Sequence, residues 1–190
     1  MSLLLETIKI ERKQPSNLTY HQTRLNKSQK ALFGLEPSID LASLLHAPSD
    51  ALYRCRILYD TKIRSIEYLP YTPKEIHTLK IVTSTLDYGY KYADRSAFNT
   101  LLESHNTYDD ILIEKKGLLT DTSIANIAFY DGTTWFTPED PLLKGTMREK
   151  LLDEGFLHTK AIRREDISSY TQVALMNAMI GFKIIDATIT

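Results

Sequence analysis

Alternating apolar and polar residues predict a strand at the start of the chain. β-Branched and apolar side chains alternate with polar ones over residues 3–11, and a polar cluster at residues 13–17 ends the pattern. Apolar residues then recur at helical spacing over residues 18–32, and Gly34 follows where a left-handed residue commonly ends a helix. A second, shorter helix is predicted over residues 39–46.

Three short strands follow and complete the first half of the chain. They are predicted over residues 52–59, 63–71 and 76–83, and we expect a small sheet with helices on one side. A tyrosine-rich segment then interrupts the pattern, and we place the domain boundary there. The prediction is a small amino-terminal α+β domain over residues 1–86 and a larger carboxy-terminal domain over residues 87–190.

The second half of the chain also contains many short strands and few helices. An Asp-Gly pair at residues 131–132 is a strong hairpin signal, and Gly155 follows the second predicted helix as a cap would. Helices are predicted over residues 93–103 and 146–152, and strands over residues 110–114, 126–130, 159–163, 173–178 and 182–187. Because strands outnumber helices and follow one another along the chain, the predicted fold class is α+β.

Composition excludes several classes of protein. The 190 residues are 43% hydrophobic and 25% charged, which is typical of a globular protein with a sizeable core. The 23 basic and 24 acidic residues nearly cancel, so we expect no nucleic-acid partner. Cys55 is the only cysteine, and we expect no metal site. With no membrane-spanning apolar run and no signal-peptide core, we expect a cytoplasmic protein that binds a small molecule.

Several ordered motifs resemble those of a known family. The main ones are residues 121–129 (DTSIANIAF), residues 135–138 (WFTP) and residues 143–148 (LKGTMR). Further matches are residues 5–8 (LETI), residues 20–25 (YHQTRL), Lys91 and Arg95. Together they are similar to the class IV aminotransferases, which include branched-chain aminotransferases, D-amino-acid aminotransferases and 4-amino-4-deoxychorismate lyases. The resemblance implies an α+β fold of two small α/β layers, with a pyridoxal 5′-phosphate site between them. It also implies that the larger carboxy-terminal domain is the cofactor-binding domain.

Lys91 is the residue that the resemblance implies as the bearer of the cofactor. Pyridoxal phosphate works through a covalent bond to a lysine amine, which must be held in a largely dry pocket. Lys91 lies in the tyrosine-rich segment at the predicted domain boundary, between Tyr90 and Tyr92. We therefore predict Lys91 as the catalytic residue, acting as general base and acid.

The resemblance places Asp121 beside the ring nitrogen of the cofactor. An anion there keeps the ring protonated, so that it withdraws electrons. The family has Glu at this position, and the Asp carboxylate is one methylene shorter, about 1.5 Å of reach. A turn or helix-cap role for Asp121 is the alternative. Ser123 and Asn126 are predicted to hydrogen-bond the ring oxygen or to hold the loop.

A phosphate group needs several donors, and a helix start supplies backbone amides. Gly145, Thr146 and Met147 open a predicted helix, where glycine permits close approach and Thr146 adds a hydroxyl. The resemblance implies Arg24 as the charged partner of the phosphate. His21, on the same helix face, is interpreted as a histidine at the edge of the core.

The resemblance implies a pyridoxal-phosphate enzyme for an amine or amino-acid substrate. Both elimination of pyruvate from 4-amino-4-deoxychorismate and amino-acid transamination remain open, and an Asn-Ala pair at Asn177 favours the lyase branch. The chain is shorter than most of the family before residue 5 and over residues 24–91. A non-catalytic relative that binds the cofactor, or an interaction protein, is therefore the alternative. Because relatives build their sites near a two-fold interface, we expect a homodimer.

Overall fold

The computed structural model describes residues 2–190, which form two compact units. The first unit contains the chain up to Pro73 together with Tyr90–Asp94. The second contains Lys74–Gly89 together with Arg95–Thr190. Each unit is therefore built from two separate stretches of chain. Over residues 2–190, no helix combines the length and the apolar character that crossing a membrane requires.

A four-stranded antiparallel sheet and two helices make up the first unit. Its elements are β1 (Leu4–Glu11), β2 (Gln14–Pro15), α1 (Leu18–Phe33), α2 (Leu41–Leu44), β3 (Tyr53–Tyr59) and β4 (Ile63–Pro70). The strand order is β2-β1-β3-β4, with Ile8 of β1 opposite Cys55 of β3. Alternate residues of β1, including Leu4 and Ile8, enter a buried cluster with Leu25 of α1 and Ile57 of β3. The sheet thus buries one face against α1.

The second unit is a larger sheet with two α-helices and one short 3₁₀ helix. Its elements are β5 (Thr78–Thr83), α3 (Ser96–Ser104), β6 (Asp110–Lys115), β7 (Leu118–Thr122), β8 (Asn126–Tyr130), β9 (Trp135–Pro138), α4 (Thr146–Asp153), β10 (Leu157–Lys160), the 3₁₀ helix (Arg164–Ser169), β11 (Gln172–Asn177), β12 (Gly181–Ile185) and β13 (Thr188–Ile189). The strand order is β10-β9-β8-β7-β6-β5-β13, and β11 pairs with both β8 and β12. Three pairs are parallel, namely β5 with β6, β13 with β5, and β10 with β9.

Strand β8 is buried on both faces, and its first residue, Asn126, is one of the predicted site residues. Ile127 and Phe129 enter one apolar cluster of the second unit. Ala128 enters another, together with Trp135 of β9 and Leu151 of α4. Since side chains alternate along a strand, the first residue of β8 lies on the same face as Ala128, the face that packs against α4.

The sequence pattern predicted most elements and misassigned some. The first strand, α1 and β8 are confirmed, and α1 ends at Gly34, whose φ is 67°. The strand predicted over residues 159–163 is instead β10, Leu157–Lys160, because these residues pair in parallel with β9. Strands β2, β7, β9 and β13 were not predicted.

The small sheet expected in the first half lacks one predicted member. Strand β5 pairs with β6 and β13, so the prediction that residues 76–83 join the first sheet is wrong. Both pairings of β5 are parallel and connect distant parts of the chain, which a local pattern does not reveal. The division into domains at residue 86 stays a prediction. The predicted α+β class is confirmed by the mixture of mainly antiparallel strands with a few helices.

Candidate active site

In the first unit, Lys91 lies beside the start of β1. Its carbonyl accepts a hydrogen bond from the amide of Leu5 at 2.9 Å, and Tyr92 forms an antiparallel bridge with Leu4. The rings of Tyr90 and Tyr92 pack edge to face with centroids 6.1 Å apart, and both contact the core of the unit. The segment that bears Lys91 is therefore held by the backbone of β1 and by its flanking tyrosines.

Glu6 is the centre of a buried cluster of charged groups in the same unit. Its carboxylate accepts hydrogen bonds from Nε of Arg24 to Oε1 at 2.8 Å and from Nη2 of Arg24 to Oε2 at 2.6 Å. Nδ1 of His21 lies 2.6 Å from Oε2. The side chains of Glu6 and His21 have no exposed surface, and that of Arg24 retains 13%. Helix α1 presents His21 and Arg24 together because residues three apart share a face.

The members of this cluster have different protonation states. Burial raises the pKa of Glu6, but the charge of Arg24 and the hydrogen bonds from Arg24 and His21 outweigh it and lower the pKa to about 2. The pKa of His21 is lowered from its ordinary value, mainly by burial. Its interaction with Glu6 raises the pKa, and the charges of Arg24 and Lys91 lower it further. Glu6 is thus ionised and His21 is neutral near pH 7. Because an ionised carboxylate only accepts, Nδ1 of His21 carries the proton and donates.

The sequence analysis missed Glu6, although a signal for it exists. Glu6 lies between Leu4 and Ile8 in the period-2 pattern, at a position that faces the core. A charged residue at such a position indicates a buried partner. Arg24 is that partner, and it was predicted only as a phosphate ligand. His21 is fully buried, so it is a core histidine with a defined hydrogen bond.

Asp121 is one of two buried Asp residues in the second unit, the other being Asp110. Asp121 is 4% exposed, and its Oδ1 accepts from Nδ2 of Asn126 at 2.7 Å while its Oδ2 accepts from the amide of Leu143 at 2.9 Å. Burial raises its pKa to about 7, although these hydrogen bonds and the charge of Arg148 act to lower it. Asp121 therefore gains and loses a proton near neutral pH.

Asn126 joins β8 to the loop before α4. Its Nδ2 donates to the carbonyl of Leu143 at 2.8 Å as well as to Asp121. The backbone of Gly145 lies directly against the same amide, and a Cβ at residue 145 would overlap Oδ1 of Asn126. Gly145 has φ −70°, so the close approach and not backbone strain requires glycine. Of the two roles predicted for Asn126, these contacts correspond to holding the loop.

Helix α4 starts at Thr146, and Gly145 before it supplies no side-chain cap. The first amides of a helix have no acceptor within the helix, and the helix dipole favours an anion there. Thr146 and Arg148 are each 3% exposed, and Nη2 of Arg148 donates to the carbonyl of Pro138 at 2.9 Å. Thr146 and Met147 therefore stand where backbone amides can bind a phosphate group.

The loop between Asp121 and Asn126 is held by contacts from three elements. The carbonyl of Ser123 accepts from Nη2 of Arg95 at 2.6 Å, and the Ser123 hydroxyl bonds to the buried carboxyl group of Asp110. On the far side, Nδ2 of Asn177 donates to the carbonyl of Ile124 at 3.2 Å. Ser123, predicted as a cofactor ligand, thus also fastens this loop.

The residues present fit pyridoxal phosphate, the cofactor that the resemblance implies. A carboxylate offers about four acceptor sites, so Asp121 can accept from a ring nitrogen in addition to Asn126 and Leu143. Arg24 has a planar guanidinium group, whose geometry matches phosphate as well as carboxylate groups. The start of α4 provides amides for an anion. The chemistry of the donors and acceptors in each unit therefore matches parts of the cofactor.

The family model for amino-transferase class IV matches residues 88–187. This range contains Lys91, the loop with Asp121 and Asn126, and the start of α4 at Gly145 and Thr146. The three residues of the Glu6 cluster, Glu6 on β1 and His21 and Arg24 on α1, lie before it. The match therefore includes most of the second unit and the segment that bears Lys91.

Individual relatives resemble the chain over nearly its whole length. An uncharacterized protein from Haemophilus influenzae is 38% identical, covering 94% of this chain and 98% of the relative. The crystal structure of a proposed 4-amino-4-deoxychorismate lyase from Haemophilus somnus has a TM-score of 0.87 and 36% identity, covering 95% and 98%. The pyridoxal-phosphate-bound structure of a hypothetical aminotransferase from Mycobacterium tuberculosis has a TM-score of 0.80 at 15% identity, covering 99% and 81%, and shows the shared fold.

The raised pKa of Asp121 predicts a specific pH dependence of stability. The folded protein keeps the Asp121 proton up to about pH 7, whereas the unfolded chain releases it near 3.8. The folded state thus binds more protons between these values, and the contribution of Asp121 to stability falls as the pH rises across this window. Urea unfolding of cofactor-free wild type and Asp121→Asn measures this effect. The free energy of unfolding of wild type should fall relative to that of Asp121→Asn as the pH rises from about 4 to about 7.

Asp131→Asn is the control for that measurement. The amide and hydroxyl of Thr133 and the amide of Thr134 lower the pKa of Asp131 from its ordinary value of 3.8, so its contribution to stability is lost as the pH falls. The free-energy difference between wild type and Asp131→Asn should therefore change mainly below about pH 3.8, in the opposite sense, and stay nearly constant from about pH 4 to about pH 7. Parallel profiles for wild type and Asp121→Asn would contradict the assignment of a titrating group to Asp121.

The contact between Gly145 and Asn126 predicts a non-additive pair of substitutions. Gly145→Ala places a Cβ on the Asn126 amide and should lower the free energy of unfolding by about 1–3 kcal/mol. In an Asn126→Ala background, the three atoms nearest to the new Cβ are absent. Gly145→Ala should then lower the free energy of unfolding by at least about 0.5 kcal/mol less than it does in wild type. Denaturant unfolding of the four proteins measures this. Gly89→Ala is the control, since its Cβ meets only Oδ1 of Asp87 at 3.8 Å, and additive costs would contradict the contact.

Proposed function

We propose that this protein, which belongs to the class IV amino-transferase family, is a pyridoxal-phosphate-dependent enzyme that acts on an amine substrate. The supporting observation is the buried network of Asp121, Asn126 and Leu143, which joins a carboxyl group to the loop that opens α4. A carboxyl group for a ring nitrogen and a helix start for a phosphate are two recognition elements that this cofactor needs.

Each predicted site residue has a role in this proposal. When bound, the cofactor withdraws electrons from the substrate carbon that bears the amine. Lys91 would hold the cofactor covalently through Nζ, and the substrate amine would displace Nζ from that bond; the released Nζ would then take and return the proton at the substrate carbon. Asp121 would balance the positive charge at the ring nitrogen. Arg24 and the amides of Thr146 and Met147 would bind the phosphate group.

Elimination of pyruvate from 4-amino-4-deoxychorismate is the reaction that we propose first. The Haemophilus somnus protein that is 36% identical is described as a proposed lyase of this kind. Asn177, whose Asn-Ala pair favours the lyase branch, contacts the loop that follows Asp121 through the carbonyl of Ile124. Amino-acid transamination is the alternative reaction at the same site.

The proposal extends to assembly and location. A two-fold homodimer would shield the reactive amine of Lys91 from water, which a short chain has few other means to do. We place the protein in the cytoplasm, where its single cysteine, Cys55, would stay reduced; the thiol is buried and unpaired. We propose a small-molecule amine or amino acid as its partner, and no nucleic acid or membrane.

A non-catalytic role is the second candidate function. It is favoured by Asp121, since its carboxyl group is shorter than the family's Glu and its two oxygens already accept from Asn126 and Leu143. Such a protein would bind pyridoxal phosphate without turnover. The retained Lys91 and Arg24 favour the enzyme.

Cofactor attachment at Lys91 is the first prediction from this proposal. Borohydride treatment of the loaded protein, followed by peptide mapping, should place the pyridoxyl group on the peptide that contains Tyr90-Lys91-Tyr92. Lys91→Ala should abolish labelling and the visible absorbance of the bound cofactor. Lys115→Ala, a change at the carboxyl end of β6, is the control and should leave both unchanged. A pyridoxyl group on any other lysine would overturn the assignment.

Substrate assays provide the second prediction and separate the candidate functions. Protein loaded with pyridoxal phosphate should release pyruvate from 4-amino-4-deoxychorismate, and Lys91→Ala should reduce the rate by at least about 10²-fold, the lower range for loss of a general base. A panel of amino acids with 2-oxo acids tests transamination. A loaded wild-type protein that is inert in both assays would support the non-catalytic role.

A further inference from the structure

We propose that Glu6 is a positioning residue for the cofactor phosphate, acting through the guanidinium group of Arg24. This inference rests on the proposed function, in which Arg24 binds that phosphate. Glu6 itself is fully buried within the first unit, where its side chain contacts Arg24 and His21. Its role is therefore to orient another side chain.

The geometry of the Glu6–Arg24 pair supports an orienting role. Two parallel hydrogen bonds, at 2.8 and 2.6 Å, join the planar carboxylate to Nε and Nη2 of Arg24. Such a fork fixes both the position and the plane of a guanidinium group. A free arginine side chain loses rotamer entropy when it is ordered. Because Glu6 orders Arg24 beforehand, an anion that binds Arg24 does not bear that cost.

The position of Glu6 in the sheet indicates that stability is not the reason for the charge. Leu4 and Ile8 flank Glu6 on the same face of β1, and both are fully buried. A buried ion pair can often be replaced by apolar side chains of similar size without loss of stability. A well-packed apolar residue at position 6 would therefore complete this face of the core. An ionised Glu6 among apolar neighbours indicates a requirement placed on Arg24.

His21 completes the arrangement by donating to a second lone pair of Oε2. Its Nδ1 donates to Oε2, the same oxygen that accepts from Nη2 of Arg24. A neutral His21 adds a hydrogen bond without adding charge, so the cluster contains one anion and one cation. Glu6 is thus held from two sides, and it in turn holds Arg24.

The test compares pyridoxal phosphate with pyridoxal, which lacks the phosphate. In Glu6→Gln the new amide presents a donor to the donors of Arg24, and the fork is lost. The Kd for pyridoxal phosphate, measured by absorbance titration, should rise about tenfold, while the Kd for pyridoxal should change less than about twofold. In an Arg24→Ala background, Glu6→Gln should cause no further loss, because the two residues act as one unit.

Two further variants control for stability. Glu67→Gln removes the exposed pair with Arg56, whose closest atoms are 3.3 Å apart, and should leave both Kd values unchanged. Glu6→Asp keeps the charge but is too short to reach both nitrogens of Arg24. It should fold where Glu6→Gln does not, with an intermediate, phosphate-specific loss of affinity.

The possible outcomes separate the two proposals. An equal loss for pyridoxal phosphate and pyridoxal would show a structural role and overturn the inference, as would an unchanged Kd in both Glu6 variants. In either case a wild-type protein that binds pyridoxal phosphate leaves the proposed function standing. A wild-type protein that binds neither compound would overturn the proposed function and this inference together.

Discussion

A carboxylate taken out of water must find hydrogen bonds or an opposite charge, or else bind a proton. Each unit of this protein has a buried carboxyl group in contact with one of its candidate site residues. Glu6 in the first unit is paired with the guanidinium group of Arg24, and Asp121 in the second unit is surrounded mainly by neutral donors. Burial of each carboxyl group costs free energy, and the nearby backbone and side chains are arranged to supply the hydrogen bonds or charge that offset this cost.

The two solutions give carboxyl groups with opposite properties. A cation in direct contact lowers the pKa of Glu6 to about 2, so Glu6 is a permanent negative charge that can order Arg24. Neutral donors leave the pKa of Asp121 at about 7, so its charge responds to whatever is placed beside it. A positive ring nitrogen next to Asp121 would favour the ionised form. The first group suits a structural counter-ion and the second suits a group that must adapt to a ligand.

Local patterns predicted the elements whose signals are local. The alternation in β1, the glycine after α1 and the Asp-Gly turn after β8 each act within about ten residues of sequence. The partners of β5 were not predictable in this way, because its parallel neighbours β6 and β13 come from distant parts of the chain. The pairing of Glu6 with Arg24 and the contact of Gly145 with Asn126 are likewise long-range. The resemblance predicted Arg24, Asp121, Asn126 and Gly145 as site residues, but only packing shows what they touch.

The Asp at position 121 and the Gly at position 145 are linked by one physical requirement. A carboxyl group that is one methylene shorter than Glu reaches less far, so its partners must come to it. The loop before α4 does so, since the amide of Leu143 donates to Asp121 and the backbone of Gly145 packs on the Asn126 amide. Any side chain at residue 145 would push this loop away and remove a donor from Asp121. The short acid is thus accommodated by a close backbone approach that only glycine permits.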